Sequence, residues 1–203
     1  MTVAAILLAA GESRRMGSPK PLIPWGGQTL LAWEIDQLMA SCVDEIVVVL
    51  GYHTEEIRRS LGSGARYCVF NQHWPQGRAS SLVRGARTLL AGDRAAPEAT
   101  AIQNVDQPTR GDIIDRLVDE LRRANLDAVQ PQFEGHGGHP VVIAGRLLPL
   151  LLKAEERTLG LRGILEHHPP LRLPMDDEPV VTIDLDTPDE LPGARRLLGI
   201  TEE

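Results

Sequence analysis

Cysteine and aromatic residues are scarce in this 203-residue chain, which holds two Cys, three Trp, two Tyr and two Phe. Cys42 and Cys68 lie far apart, so the chain has no Cys-X-X-Cys pair and no cysteine-rich metal site. Buried free thiols in a reducing cytosol are the expected state. With aromatics at 3%, the core must be built from Leu, Val, Ile and Ala. A basic excess is also missing: 21 Lys and Arg against 28 Asp and Glu leave a net charge of −7. That balance argues against a nucleic-acid partner. It leaves room for one anionic small molecule, because the local field matters more than the total. No basic segment followed by an apolar stretch opens the chain, and the run Val3 to Ala10 is too short to span a membrane. A cytoplasmic protein without a membrane partner is expected. Fixed-period repeats and low-complexity tracts are absent as well. What remains is ordinary for a globular protein, with 42% hydrophobic and 24% charged residues, and the length suits one domain over residues 1–203.

The most informative stretch is Ile6 to Leu31. The apolar run Val3–Ala10 reads as a buried parallel strand. It ends at Gly11 and leads into Glu12-Ser13-Arg14-Arg15-Met16-Gly17-Ser18-Pro19-Lys20. Gly11 and Gly17 allow close backbone approach or positive φ. The loop's N–H groups and its three cations Arg14, Arg15 and Lys20 suit a triphosphate. The spacing is neither the P-loop nor the dinucleotide fingerprint. A glycine-rich turn with solvated arginines is the competing reading of the same residues.

Downstream, Thr29 is placed to cap a helix through about Met39, with Leu30, Leu31, Ile35, Leu38 and Met39 on one face. Glu45–Leu50 reads as a strand, Thr54–Leu61 as a helix and Arg66–Phe70 as a strand. Ser80-Ser81 is placed to cap a helix through Leu90. Thr100–Val105 follows as a strand, Ile113–Ala124 as a helix, and Asp127–Phe133 and Val141–Ile143 as strands. Leu161–His167 reads as a helix, Val180–Asp186 as a strand with Asp184 and Asp186 on one face, and Thr187-Pro188 as the start of the last helix. The alternation implies a parallel sheet with right-handed crossovers.

Three further pieces carry chemistry. Asp106-Gln107-Pro108 follows a strand, at the edge where open α/β sheets bind ligands, and a carboxylate there can hold Mg²⁺; a plain turn-forming Asp is the alternative. Gly77, Ser80 and Ser81 mark a polar loop before a helix, readable as a cap alone. Gly135-His136-Gly137-Gly138-His139-Pro140 has two histidines, but without nearby Cys the spacing is weak for zinc.

In order, LLAAGESRRMGSPKPL, the Gly77–Ser81 segment, VDQP at Val105–Pro108, GxxGHP at Gly135–Pro140 and DLDTPDEL at Asp184–Leu191 resemble the molybdopterin nucleotidyltransferases. Within that family the likeness is strongest to the cytidylyltransferase group. The resemblance implies a Rossmann-like three-layer α/β domain with a mostly parallel sheet, similar to the nucleotide-diphospho-sugar transferases. It implies that Leu8, Ala9, Ala10, Gly11, Gly77, Ser80 and Ser81 contact the nucleotide, and that Arg15 and Lys20 neutralise its phosphates. Asp106 and Asp186 would hold Mg²⁺, with Asp184 as the alternative second ligand. Gly138, His139, Pro140 and Arg162 would face a molybdopterin-type acceptor. Asn104 stands where the family has a small residue, and Gly160-Leu161-Arg162-Gly163 where it has a glycine-alanine-arginine segment; Arg78 occupies a variable position. The implied reaction is transfer of a nucleoside monophosphate, CMP from CTP, to the acceptor phosphate with release of pyrophosphate. Guanylyl transfer, a different phosphorylated acceptor, or a non-catalytic maturation partner of a molybdoenzyme are the alternatives. Transient contact with a molybdoenzyme or its chaperone also follows from the resemblance.

Overall fold

Strand β1 (Val3–Ala9) is buried at all seven positions. Its alternate residues feed two cores: Val3, Ala5, Leu7 and Ala9 face one side of the sheet, Ala4, Ile6 and Leu8 the other. A strand covered on both faces is why the run reads as continuously apolar rather than alternating.

The computed structural model describes residues 2–92, 95–158 and 160–201. After β1 come a short hairpin of β2 (Pro24–Trp25) and β3 (Gln28–Thr29), then α1 (Leu30–Met39), β4 (Glu45–Leu50), α2 (Thr54–Leu61) and β5 (Cys68–Phe70). The chain continues through α3 (Arg78–Leu89), β6 (Ala99–Asn104), α4 (Gly111–Arg123), β7 (Ala128–Phe133), β8 (His136–Gly137) and β9 (Val141–Ala144). It closes with α5 (Leu161–His167), β10 (Leu171–Pro174) and α6 (Leu191–Leu197). The main sheet runs β10-β7-β9-β6-β1-β4-β5, with β8 paired to β7. All neighbours on the β6-β1-β4-β5 side are parallel, whereas β9 runs antiparallel to both β6 and β7. The expected α/β architecture with a mostly parallel sheet is therefore present.

Local chemistry explains several boundaries. Thr29 caps α1 by accepting the Ala32 N–H. Gly77, at φ 107°, is the residue before α3; Ser80 and Ser81 lie inside its first turn. The expected serine cap is thus replaced: Ser80 donates its hydroxyl to the Gly77 and His73 carbonyls. Only Cys68–Phe70 of the strand expected at Arg66–Phe70 forms, because Gly62–Tyr67 winds as 3₁₀ helix. The segment Val180–Asp186 is not a strand. Pro179–Thr182 forms a 3₁₀ turn, and the chain then crosses the sheet end on single backbone bonds instead of a ladder. Leu185 N donates to Asp106 O at 2.7 Å, and Val181 O accepts from His139 N at 2.7 Å. Val180, Val181 and Leu185 are buried, which is the apolar periodicity that imitated a strand. β10 lies in a stretch the sequence did not mark. Pro188–Glu190 begins the last helical stretch as a 3₁₀ turn, held by a Thr187–Glu190 capping box. Cys42 and Cys68 are free thiols, half-buried rather than fully enclosed. Burial first pushes both thiols up, Cys42 to about 12 with Asp115 adding to the rise and Cys68 to about 11 against the opposing charge of Arg58. Among the described residues no helix is long and apolar enough to cross a membrane.

The close packing of α3 on β1 yields a test. A Cβ on Gly85 would stand 2.6 Å from Ile6 Cγ2, and Ile6 is fully buried. Alanine gains about 1 kcal/mol of helix propensity, but overpacking costs about 1–3 kcal/mol. Gly85→Ala is expected to lower the urea midpoint by a net loss of roughly 1 kcal/mol with an unchanged slope; a raised midpoint would show that the α3–β1 interface gives way easily.

Candidate active site

Beyond β1 the loop is shaped by two left-handed residues, Ser13 at φ 55° and Gly17 at φ 71°, which bracket a 3₁₀ turn over Arg14–Met16. Ser13 Oγ then accepts the Lys20 N–H at 3.0 Å. This fixes the start of the Lys20–Leu22 turn and sends the lysine inward, where its side chain is only 10% exposed. Lys20 Nζ donates to Asp106 Oδ2 at 3.0 Å and to Asp186 Oδ1 at 3.2 Å. Arg15 Nη2 reaches Asp186 Oδ1 at 2.8 Å. Arg14 instead pairs with Glu12 at the surface. The loop's three cations therefore divide: two meet the carboxylates and one stays outside.

Asp106 follows β6, and Asp184 and Asp186 arrive on the crossing segment, pinned there by the Leu185–Asp106 backbone bond. Glu190 Oε2 accepts the N–H groups of Asp186 and Thr187, both at 2.6 Å, which holds the far side. Oxygens of Asp106, Asp184 and Asp186 all lie within 4.8 Å of one another. The sequence offered Asp184 or Asp186; the fold brings both. Three carboxylates face two cations, so one negative charge is uncompensated. Asp184 registers this: desolvation first, then Asp106 and Asp186, raise its carboxyl above the usual range. Desolvation also works upward on Asp186, but Lys20 and Arg15 together hold it below its ordinary value. A hard, oxygen-only donor set with excess negative charge fits a divalent cation such as Mg²⁺ or Mn²⁺.

Two cavities meet at Leu8 and Arg78, and one of them borders this cluster. One, of about 560 Å³, is lined by Leu8, Ala9, Ala10, Gly11, Gly77 and Ser81 together with Lys20 and Asp106. A Cβ on Gly11 would meet nothing within 4 Å, so that backbone is open to a ligand. Ser80 is not on this wall; it lines a separate cleft. Asn71 Nδ2 ties the pair together by donating to Ser80 Oγ and Ser81 Oγ at 2.9 and 3.0 Å. The other cavity, of about 790 Å³, holds His139 and Arg162 with Gln130, Arg172 and an apolar wall that includes Leu82, Val141 and Leu165. Gly138 and Pro140 line neither of these two cavities. Gly138 has a packing reason instead, because a Cβ there would collide with the Val181 carbonyl. Arg78 and Leu8 border both cavities.

The sequence missed Arg78, which it left at a variable position, and Glu34. Glu34 is fully buried on α1 and accepts Gln103 Nε2 at 2.7 Å. Burial, and then the charge of Asp106, push its carboxyl well above the ordinary range, against the Gln103 hydrogen bond. Its one signal was an acidic residue among the apolar positions of α1.

A mostly parallel sheet with a glycine-bounded cation loop facing carboxylates at its strand ends, two of them bridged by Lys20, is suited to binding a metal ion and phosphate groups. The profile of the MobA-like NTP transferase domain matches residues 5–172, and the chain belongs to that family. It is similar to nicotine blue oxidoreductase of Paenarthrobacter nicotinovorans, with 30% identity over 82% of this chain and 83% of that protein. The molybdenum cofactor cytidylyltransferase of Escherichia coli K12 is 27% identical over 94% of each chain. A molybdenum cofactor guanylyltransferase of Cereibacter sphaeroides is 29% identical over 98% of each. In fold it is similar to Rv0371c of Mycobacterium tuberculosis H37Rv, solved in complex with manganese, at TM-score 0.75 and 22% identity over 99% of this chain and 100% of that one.

His139 supplies a pH test. Desolvation first, then Arg78, lower its imidazole from 6.5 to about 4, while Asp106 pulls the other way. Between those values the unfolded chain binds the extra proton, so His139 costs stability as pH falls through that window. The wild-type protein is expected to lose more stability between pH 7 and pH 4.5 than His139→Gln, read from urea midpoints. Equal losses would mean that the folded imidazole takes up its proton without penalty.

Proposed function

We propose that this NTP transferase moves a nucleoside monophosphate, CMP from CTP, onto the phosphate of a molybdopterin-type acceptor in the cytoplasm. The observation that carries the reading is Lys20 Nζ bridging Asp106 and Asp186 at the mouth of the loop cavity. Such a transfer needs little covalent help from a protein, because positioning and charge neutralisation supply most of the rate. The NTP lies in the smaller cavity against Leu8–Gly11, with Gly77 and Ser81 above it. Lys20 and Arg15 turn from the carboxylates toward the phosphates and stabilise the charge that develops as pyrophosphate leaves. Asp106, Asp184 and Asp186 would hold Mg²⁺, which would supply charge neutralisation to the phosphate groups. His139 and Arg162 face the acceptor in the larger cavity. His139, neutral at pH 7, offers hydrogen bonds without charge.

The choice of base rests on the LAAG form at Leu8–Gly11 and on the Asp106-Gln107-Pro108 triplet; guanylyl transfer is the nearest rival. The relative named nicotine blue oxidoreductase brings an oxidation–reduction reaction into view, but a carboxylate triad with Lys20 bridging two of its members suits metal–phosphate chemistry and favours the transferase here.

The test is pyrophosphate release from purified protein with Mg²⁺, a molybdopterin-type acceptor and each NTP in turn. Release with CTP alone is expected; release with GTP alone keeps the transfer and overturns the base. Two variants refine it. Asp106→Ala is expected to abolish release while preserving the circular dichroism spectrum. Lys20→Ala is expected to reduce kcat by about two orders of magnitude, the size typical of a lost charge-stabilising donor. Normal rates in either variant would remove that residue from the chemistry.

A further inference from the structure

Helix α3 has a second face that the reaction leaves unused. Ser80, Val83, Arg84 and Arg87 recur at the spacing of one helical stripe. Opposite them stand Phe70 at the end of β5, the loop residues Gln72, His73 and Gln76, and the segment Ala154–Glu156. Together they enclose a cavity of about 540 Å³, nearly the size of the loop cavity beside Lys20. The two have no lining residue in common: Ala79 and Ser80 face this one and Ser81 the other.

The charges in this second cavity are unevenly committed. Its acids are engaged: Glu156 Oε1 accepts the Ala79 N–H at 2.6 Å, and Glu155 pairs with Arg157. Its cations are not. Neither Arg84 nor Arg87 has a carboxylate partner among the described residues, and Arg84 Nε is buried without an acceptor. A buried guanidinium N–H with no partner is a destabilising feature, and an incoming anion would supply the missing acceptor. Beside the arginines, Phe70 is 48% exposed and makes no ring contact among the described residues. The Gln72 and Gln76 amides add neutral donors and acceptors around it.

We propose that this cavity is a second ligand site, for a small phosphate-bearing molecule with a planar ring. The phosphate is taken by Arg84 and Arg87, whose guanidinium groups match it in charge and geometry. The ring lies on Phe70, where stacking adds affinity. The site shares Ala79 and Glu156 with the wall of the acceptor cavity, but its two arginines and Phe70 line this cavity and neither cavity of the reaction.

The experiment is equilibrium binding of AMP, and separately of inorganic phosphate, to the full-length protein without metal or acceptor. Saturable AMP binding is expected, weakened about tenfold by Arg87→Ala and further by Arg84→Ala/Arg87→Ala, as for a lost charged hydrogen bond. Arg87 is exposed, so its variant keeps the fold. Phe70→Ala is expected to weaken AMP but leave inorganic phosphate unchanged; equal effects on both would overturn the ring's place. Arg78→Ala, which alters the two cavities of the reaction, is expected to leave the Arg87-dependent part of AMP binding intact. AMP binding unchanged in the double variant, an Arg87-dependent part lost in Arg78→Ala, or no saturable binding up to about 10 mM AMP would each overturn the site.

Discussion

Lys20 is the hinge of the arrangement, because a nearly buried ammonium is tolerated only where carboxylates compensate it. Here it has two, Asp106 and Asp186, contributed from positions 86 and 166 residues away. The dependence runs in both directions. Without Lys20 and Arg15, three carboxylates crowded within 4.8 Å would repel one another; without the carboxylates, the lysine would be stranded. The Ser13 hydrogen bond to Lys20 N and the Leu185 bond to Asp106 O serve that electrostatic balance by holding its members in reach. Replacing the lysine's present partners with phosphate oxygens exchanges one anionic environment for another, so the side chain can change partners at modest cost.

The sheet was largely legible in the sequence because its strands have strong signals. Val3–Ala9 and Glu45–Leu50 are short, mostly apolar runs with covered faces, and Thr54–Leu61 carries its helical pattern within its own residues. Legibility failed where long-range contacts decide the backbone. Val180–Asp186 has strand-like periodicity, but its partners are one carbonyl at Asp106 and one N–H at His139, too few for a ladder. β10 forms because β7 offers an edge, not because Leu171–Pro174 favours a strand. Ser80-Ser81 looked like a cap, yet Gly77 fills that place because the backbone there takes φ 107°, where a side chain is strained.

At the site, residue type and order were enough to pick Lys20, Arg15, Asp106 and Asp186, which the fold does assemble. The division of labour within each motif was not readable. Gly138 is small for the Val181 carbonyl, Ser80 turns to the opposite wall from Ser81, and Asp184 joins Asp186 instead of competing with it. Arg78 gained its place only when two cavities were seen to meet at it. These distinctions depend on which way a side chain points across the turn, and no local pattern encodes that.

The crossing segment that delivers Asp184 and Asp186 has one more consequence, in the order of synthesis. A growing chain exposes the cation loop early and Asp106 midway, while strands β1, β4 and β6 can already pair. The last two carboxylates emerge after every strand of the sheet. A chain cut before Asp184 therefore keeps every strand of the sheet but loses two of the three clustered carboxylates, together with the buried Leu185 and Ala194.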